Sequence, residues 1–393
     1  MKKILLTLIF IGFGLRIYCQ KTVNTEYKIA SRYFEEERTI KVHLPKNYDE
    51  KVKLPVIYIL DAQWNPYFIL TSSSIDYLTE IRELPKSIII GINLVNRQYE
   101  LTPAPVNEDW KMPSLGGAQN LENHLLKEVI PLIDSLYKVH PFRTVIGHSL
   151  GGTFALNSLV DNPTLFNAVI AISPNLQIDD EEIVLKMTRA INTLKKGNKF
   201  VFATIGTDGQ PDASFLPPLK KLDSVLSIEN SMTFDWNFRI HEGYNHATTP
   251  LVSTNSALLE FAKKWKITEE QKATIMSNGN VIKDFEGFYE SISLWAGYSV
   301  VASKNNYYDF AGFLEDNKKY NDAIGIYKLA TRNFPSESRF YNGIAENMME
   351  IENNKEAKVY LEKALKILKN EIFEYENDKE YFRKLYMENL EKL

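Results

Sequence analysis

The stretch that decides the fold is Arg143-Thr144-Val145-Ile146-Gly147-His148-Ser149-Leu150-Gly151-Gly152. It begins with β-branched residues, continues with the pattern Gly-x-Ser-x-Gly, and leads into Thr153–Leu156. This order predicts a strand, a sharp turn and a helix, the arrangement that exposes a serine hydroxyl at the carboxyl end of a strand. Glycines leave room for the turn, and the N-terminus of the helix favours negative charge beside the serine. We therefore predict that Ser149 is a nucleophile and that the His148 side chain points away from it.

Apolar runs on both sides of this motif extend the strand–helix alternation. Predicted strands are Glu26–Ser31, Arg38–Leu44, Val56–Leu60, Ser87–Ile92, Thr144–Ile146, Ala168–Ile172, Phe200–Ile205 and Met232–Ile240. Predicted helices are Tyr67–Glu83, Leu121–Tyr137, Gly151–Leu159, Pro218–Leu226 and Leu251–Trp265. The first strands alternate polar and apolar residues, which indicates a half-exposed antiparallel edge, whereas the later runs are continuously apolar. The pattern predicts an α/β fold with a mainly parallel sheet.

The composition changes near residue 266, where strand-like runs end and a linker over 266–284 is predicted. Beyond it, a 34-residue spacing relates Ala323 to Ala357 and Ala330 to Ala364, and Pro335 closes the first copy. This pattern is typical of tetratricopeptide repeats, over 304–337 and 338–371, with 371–393 as a cap helix. An unrelated helical bundle is the alternative. The predicted organisation is a signal peptide (1–20), an α/β domain (21–265), a linker and helical segment (266–303) and all-α repeats (304–393).

The overall composition excludes several classes of protein. The chain has 393 residues, of which 44% are hydrophobic and 24% charged, as in ordinary globular proteins. Its net charge of −4 gives no basic excess, so a nucleic-acid partner is not expected. The single cysteine, Cys19, excludes a disulfide framework and a thiolate metal cluster. The histidines show no metal-ligand spacing, and no metal or organic cofactor is expected.

The N-terminus is predicted to direct export. Lys2 and Lys3 precede an apolar run over 4–15, which is shorter than the roughly 20 residues of a membrane-spanning helix. Cleavage near Cys19 or Gln20 would release a periplasmic or secreted protein without a membrane span. Lipoprotein anchoring at Cys19 is the less favoured alternative, because residues 16–18 match a lipobox poorly.

A nucleophilic serine needs a base, and the sequence offers six histidines. In folds that expose a serine on such a turn, the chain order is serine, acid, histidine, with the histidine on the loop after the last strand. His246 follows the last predicted strand in the loop Glu242-Gly243-Tyr244-Asn245-His246, and we predict that it is the base. His241 is interpreted as a structural residue at the strand end.

The acid that orients the histidine should follow the strand ending at Ile205. Asp208 is preferred because it is nearer to the strand end, where the sheet would hold it. Asp212 is the less favoured alternative, because it follows a proline and is expected on a mobile loop. A serine–histidine dyad without an acid remains open at this point.

An oxyanion hole needs two backbone N–H groups, one from the residue after the nucleophile and one from a loop after an early strand. Leu150 is the first candidate, and Ala62 is the second because its small side chain permits close approach. Asp61 is expected to brace that loop. Four aromatic residues lie in segments that could line a pocket, although packing is the simpler role for each: Trp64, Tyr67, Trp110 and Phe215.

Several segments together resemble the putative-esterase family of α/β-hydrolases, of the esterase D and enterochelin-esterase-like type. They are Tyr58–Ala62, Asn96-Arg97 with Leu101-Thr102-Pro103, Glu128–Ile133, Arg143–Gly152, Phe166–Pro174 and Glu242–His246. The resemblance covers about 30–265 and implies ester hydrolysis through an acyl-enzyme on Ser149, with His246 as base. The family commonly has glycine where Ala62 stands, and tryptophan shortly after Ser-Pro where this chain has Asn175-Leu176-Gln177.

The predicted function is that of an exported serine esterase for a small ester, siderophore esters being one family substrate. One alternative is a non-catalytic hydrolase-fold scaffold that binds a protein partner through its repeats. Another is an acyltransferase, which would use the same acyl-enzyme with an alcohol in place of water.

Overall fold

The computed structural model describes residues 24–229, 231, 233–373 and 375–393. Its strands form one eight-stranded sheet in the order β1-β2-β4-β3-β5-β6-β7-β8. In chain order they are β1 (Asn24–Ser31), β2 (Glu36–His43), β3 (Leu54–Ile59), β4 (Ile88–Ile92), β5 (Val139–His148), β6 (Ala168–Ile172), β7 (Lys199–Gly206) and β8 (Phe234–His241). The predicted signal peptide and Cys19 lie outside the described residues.

The strand directions place one set of loops along a single edge of the sheet. β1 pairs with β2, and β2 with β4, in antiparallel fashion, which confirms the predicted antiparallel edge. All other neighbouring strands are parallel. The loops that follow β3 to β8 therefore leave the sheet at the same carboxyl edge, the usual position of ligand sites in open α/β sheets. The predicted mainly parallel α/β fold is confirmed.

Helices cover both faces of the sheet over residues 24–265. They are α1 (Asn65–Glu80), α2 (Arg97–Leu101), α3 (Ala118–His124), α4 (Ile130–Leu136), α5 (Leu150–Asp161), α6 (Ile178–Leu194), α7 (Asp212–Leu226) and α8 (Thr249–Ala262). α6 was not predicted, because its few buried apolar residues are diluted by a polar sequence. α7 begins six residues before the predicted start at Pro218. Pro217 and Pro218 lie inside this helix, although a proline more often marks the first turn.

The rest of the described chain is helical. Its helices are α9 (Glu269–Asn278), α10 (Val281–Ala296), α11 (Lys304–Asp316), α12 (Tyr320–Asn333), α13 (Ser338–Glu350), α14 (Asn354–Leu368) and α15 (Glu376–Glu391). Ala323, Ala330, Ala357 and Ala364, the alanines that recur at the 34-residue spacing, are all fully buried. The all-helical C-terminal region is thus confirmed, and its tetratricopeptide identity stays a prediction.

This helical region contacts the sheet at the edge opposite to the carboxyl edge. Tyr298 stacks on His140 with ring centroids 3.7 Å apart, and Trp295 lies 4.8 Å from the ring of Phe142. His140 and Phe142 belong to the first half of β5, whereas Ser149 follows its last residue. At about 3.3 Å per residue, roughly 30 Å separates His140 from Ser149 along the strand. The helical contact is therefore remote from the nucleophile motif. Within the described residues, no helix is both long and apolar enough to cross a membrane.

Candidate active site

Ser149 occupies a strained turn between β5 and α5. Its backbone has φ 59° and ψ −123°. Residues other than glycine rarely adopt this conformation, and where they do, the position is often part of a functional site. A Cβ atom on Gly147 would lie 2.3 Å from the Gly151 carbonyl group, so residue 147 must be glycine for the turn to close. The Ser149 N–H donates to the Ile172 carbonyl on β6 at 2.8 Å. The predicted strand, turn and helix are therefore present, with the serine at the carboxyl edge.

His246 lies on the loop after β8 and pairs with a buried aspartate. Its Nδ1 is 2.6 Å from Oδ1 of Asp212, the first residue of α7. The His246 side chain is about one-fifth exposed, whereas the Asp212 side chain is fully buried. A carboxylate at Nδ1 places the ring proton there and leaves Nε2 as the basic nitrogen.

Hydrogen bonds to the second carboxylate oxygen fix Asp212 in place. Oδ2 accepts hydrogen bonds from the Gly206 N–H at 3.1 Å, the Ser173 hydroxyl at 3.1 Å and the Thr249 hydroxyl at 3.2 Å. Burial alone would raise the pKa of Asp212, but the hydrogen bonds from His246, Gly206 and Ser173 outweigh it and hold that pKa below its usual value. Asp212 is therefore a stable anion beside the imidazole.

The sequence preference for Asp208 is wrong. Asp208 is exposed, and its side chain makes no hydrogen bond to His246 in the described structure. The expected mobility of Asp212 is wrong as well, because this residue opens a helix rather than lying in a loop. Acidic residues are favoured in the first turn of a helix, and this signal could have identified Asp212 as a helix start.

Ser149 and His246 line the same cavity, which has a volume of about 470 Å³. The residues around it are Asp61, Gln63, Trp64, Tyr67, Arg97, His148, Ser149 and His246. Within the described chain no hydrogen bond joins the Ser149 hydroxyl to His246. Such bonds are often long in unliganded enzymes and tighten when substrate binds.

Of the four aromatic residues that the sequence placed in possible pocket segments, two line the cavity. Trp64 and Tyr67 line the cavity and stack with their rings 5.8 Å apart. Phe215 is not a lining residue but contacts the His246 ring edge-on at 5.7 Å. Trp110 is not a lining residue either, and its indole N–H donates to Asp180. The aromatic surface of the cavity thus comes from the start of α1.

Arg97 connects the loop after β3 to the nucleophile turn. It donates to both carboxylate oxygens of Asp61, at 2.7 and 2.9 Å, and to the His148 carbonyl at 3.1 Å. Glu100 holds the segment that carries Arg97, because it accepts from the Val95 and Asn96 N–H groups. Asp61 braces its loop as expected, but the role of Arg97 was not predicted.

The backbone donors near Ser149 differ from the predicted pair. Leu150 is the first residue of α5, so its N–H has no partner within the helix. The Ala62 N–H, in contrast, donates to the Ile92 carbonyl at 3.0 Å and is not free to bind an oxyanion. The choice of Ala62 is therefore wrong, because its N–H is already hydrogen-bonded to β4.

Gln63 offers the donor that Ala62 lacks. Its N–H has no acceptor among the described residues, and Gln63 lines the cavity. Lys41 on β2 binds the Ala62 carbonyl at 2.9 Å, and in a trans peptide the next N–H points the opposite way, away from β2. Leu150 and Gln63 are thus the candidate oxyanion donors.

His148 does not point away from the site, contrary to the prediction. Its side chain lines the cavity and lies against His246, with ring centroids 4.5 Å apart. Burial, together with the nearby His246 and Arg97, lowers the pKa of His148 to about 3. His148 is therefore a neutral imidazole at ordinary pH. Among the described residues, no group of three or more His, Cys, Asp or Glu has an arrangement that could hold a metal ion.

Comparisons with known proteins point to esterases. A family model described as "Putative esterase" matches residues 31–256, more than half of the chain. The uncharacterised protein YjcH of Bacillus subtilis is 30% identical over 232 residues, which cover 56% of this chain and 88% of YjcH. The ferri-bacillibactin esterase BesA of Bacillus subtilis is 27% identical over 198 residues, 45% of this chain and 67% of BesA.

Among solved structures, the IroE-like serine hydrolase of Shewanella oneidensis has a similar fold. It aligns with a TM-score of 0.61 and 19% identity, over 77% of this chain and 98% of its own. At that level of identity the likeness concerns the fold.

Proposed function

Because the chain belongs to the putative esterase family and is a carboxylic ester hydrolase, we propose that Ser149, His246 and Asp212 perform the hydrolysis through an acyl-enzyme. In the first step His246 Nε2 accepts the hydroxyl proton while Ser149 Oγ attacks the ester carbonyl. The tetrahedral intermediate collapses, the alcohol leaves with the proton from His246, and the acyl group stays on Ser149. Water, deprotonated by His246, then releases the acid and restores the serine.

The observation that carries this proposal is the pairing of His246 with Asp212 in the cavity that Ser149 lines. The carboxylate keeps the imidazole in the tautomer with a basic Nε2 and stabilises the imidazolium that forms during attack. The N–H groups of Leu150 and Gln63 would bind the oxyanion, a contribution that is typically worth about 10²–10³ in rate per donor.

The substrate we propose is a small ester. The cavity of about 470 Å³ lies within the range of small-molecule sites, and Trp64 and Tyr67 provide an aromatic wall. Siderophore esters belong to this class, and the name of the related BesA makes them the first natural substrates to assay. Acyl transfer to an alcohol would use the same intermediate.

Covalent labelling tests the proposal directly. The protein is incubated with a fluorophosphonate and with p-nitrophenyl acetate and butyrate. We expect hydrolysis of the esters, its loss after labelling, and a single adduct on the peptide that contains Ser149. An unlabelled Ser149 together with undiminished hydrolysis would refute the acyl-enzyme. Product analysis with added alcohols separates hydrolysis from acyl transfer.

Lys41→Met should lower kcat about tenfold with little change in KM. Lys41 holds the Ala62 carbonyl and also bonds to Asn65, so it orients the peptide that carries the Gln63 N–H. Loss of a charge-assisted hydrogen bond typically corresponds to a factor of about ten or more. Steady-state kinetics with p-nitrophenyl butyrate measures the effect.

Lys28→Met is the matched control for this substitution. Lys28 lies on the adjacent strand, is 69% exposed and pairs with Glu37 at the surface. Its replacement should leave both kinetic constants unchanged. Equal constants for Lys41→Met and wild type would show that Lys41 does not orient an oxyanion donor.

Export is also a proposal, based on Lys2, Lys3 and the apolar run over 4–15. Expression of the full chain in a bacterium, followed by fractionation and N-terminal mass analysis, tests it. We expect a protein outside the cytoplasm that begins near residue 20. A full-length cytoplasmic product would contradict it.

A further inference from the structure

His148 is the last residue of β5 and directly precedes Ser149. Its side chain is buried, only 7% exposed, and its Nε2 lies 3.0 Å from the backbone carbonyl oxygen of His246. Because a carbonyl oxygen only accepts hydrogen bonds, the proton of the neutral ring must be on Nε2. A side chain adjacent to the candidate nucleophile thus holds the main chain of the candidate base.

Other hydrogen bonds of the base loop, residues 242–248, hold it to itself, to the segment after β7 and to the start of α8. Asn245 Oδ1 accepts from the Ala247 and Thr248 N–H groups, which closes a turn within the loop. The Tyr244 carbonyl accepts from the N–H groups of Thr207 and Asp208 at 3.0 Å each. Among the described residues, the bond from His148 is the one hydrogen bond that joins this loop to β5.

The two ends of this bond belong to the neighbour of the candidate nucleophile and to the candidate base. His148 and Ser149 are consecutive, and the strained turn fixes the direction of the Cα–Cβ bond of Ser149 relative to β5. Asp212 fixes the imidazole of His246 from the side of α7. The bond from His148 adds the constraint from the strand that carries the nucleophile, so the base is held from both sides.

We infer that His148 is a positioning residue that sets the location of His246 Nε2 relative to Ser149 Oγ through its hydrogen bond to the His246 carbonyl. The inference rests on the proposed function of Ser149 and His246. His148 transfers no proton in this role, and burial keeps its ring neutral, so its donor remains in place over the working pH range. A displacement of about 1 Å between reacting groups can cost on the order of 10²-fold in rate.

Two substitutions separate the hydrogen bond from the space that the ring fills. His148→Phe keeps an aromatic ring and removes the donor. His148→Gln reaches about as far and supplies an amide N–H in place of Nε2. We expect His148→Phe to lower kcat, and the rate of fluorophosphonate labelling of Ser149, about tenfold or more with little change in KM. His148→Gln should recover most of both rates.

His241→Phe serves as the matched control, because His241 is partly buried, bonds to Ser256 and does not line the cavity. It should leave both rates unchanged. Thermal unfolding of every variant separates loss of folded protein from loss of rate per folded molecule.

The outcomes distinguish this inference from the proposed function. If wild-type protein is neither labelled at Ser149 nor active, the proposed function fails. If wild type is active and labelled but His148→Phe matches it in both rates per folded molecule, the positioning role is refuted. Equal losses in His148→Phe and His148→Gln would also refute it, because the N–H donor would then make no difference.

Discussion

Ser149→Ala should reduce the turnover of p-nitrophenyl esters by at least about 10⁴-fold, because removal of the nucleophile from a serine hydrolase costs as much as about 10⁶ in kcat. The substitution removes the atom that forms the acyl bond and leaves the cavity otherwise intact. The strained backbone at φ 59° should suit alanine no better than serine, so the folded structure is expected to change little. KM should be nearly unchanged.

Steady-state kinetics and fluorophosphonate labelling measure this loss on the same preparations. The unlabelled Ser149→Ala protein should still unfold at a temperature close to that of wild type. Equal turnover by the two proteins would rule out the serine mechanism. The variant should keep a small residual rate above the uncatalysed reaction, since the Leu150 and Gln63 N–H groups can still stabilise an oxyanion.

Asp212→Asn should lower kcat by about 10³–10⁴-fold, whereas Asp208→Asn should leave it within about twofold. The reason is the hydrogen-bond pattern around Asp212. Three donors converge on Oδ2, so in the Asp212→Asn variant the amide oxygen would occupy that position and the NH₂ group would face His246. His246 would then have to accept at Nδ1, its proton would move to Nε2, and the base would be lost.

Asp208→Asn is the matched control, since both substitutions replace a carboxylate by an amide within one segment. Thermal unfolding of Asp212→Asn shows whether the buried amide also destabilises the fold. The labelling rate of Ser149 should fall in parallel with kcat. A large loss in Asp208→Asn with none in Asp212→Asn would restore the original sequence assignment and refute the role given to Asp212.

The turn around Ser149 was predictable from sequence because its constraints are local. Gly147 must be glycine, since its Cβ would meet the backbone of Gly151, a residue four positions away. His246 was also predictable, because chain order in a mainly parallel sheet places the loop after the last strand at the carboxyl edge. The family resemblance included Arg97 in a shared segment, but it did not indicate which groups Arg97 binds.

The acid and the second oxyanion donor were not predictable in the same way. Asp208 and Asp212 both follow β7, and sequence distance to the strand end favoured the wrong residue. What decides between them is the position of Ser173, Gly206 and Thr249, which come from three different parts of the chain and converge on Asp212. Ala62 fails for a similar reason, because the acceptor of its N–H, Ile92, lies thirty residues away on β4.

By itself, the sequence determined the parallel sheet, the nucleophile turn and the order of serine and histidine along the chain. These features follow from steric and hydrophobic patterns that neighbouring residues specify. Only the tertiary structure decided which aspartate meets His246, which N–H near Ala62 is free, and that His148 holds the His246 carbonyl. Each of these depends on hydrogen bonds between residues far apart in the chain, and a hydrogen bond forms only when folding brings donor and acceptor within about 3 Å.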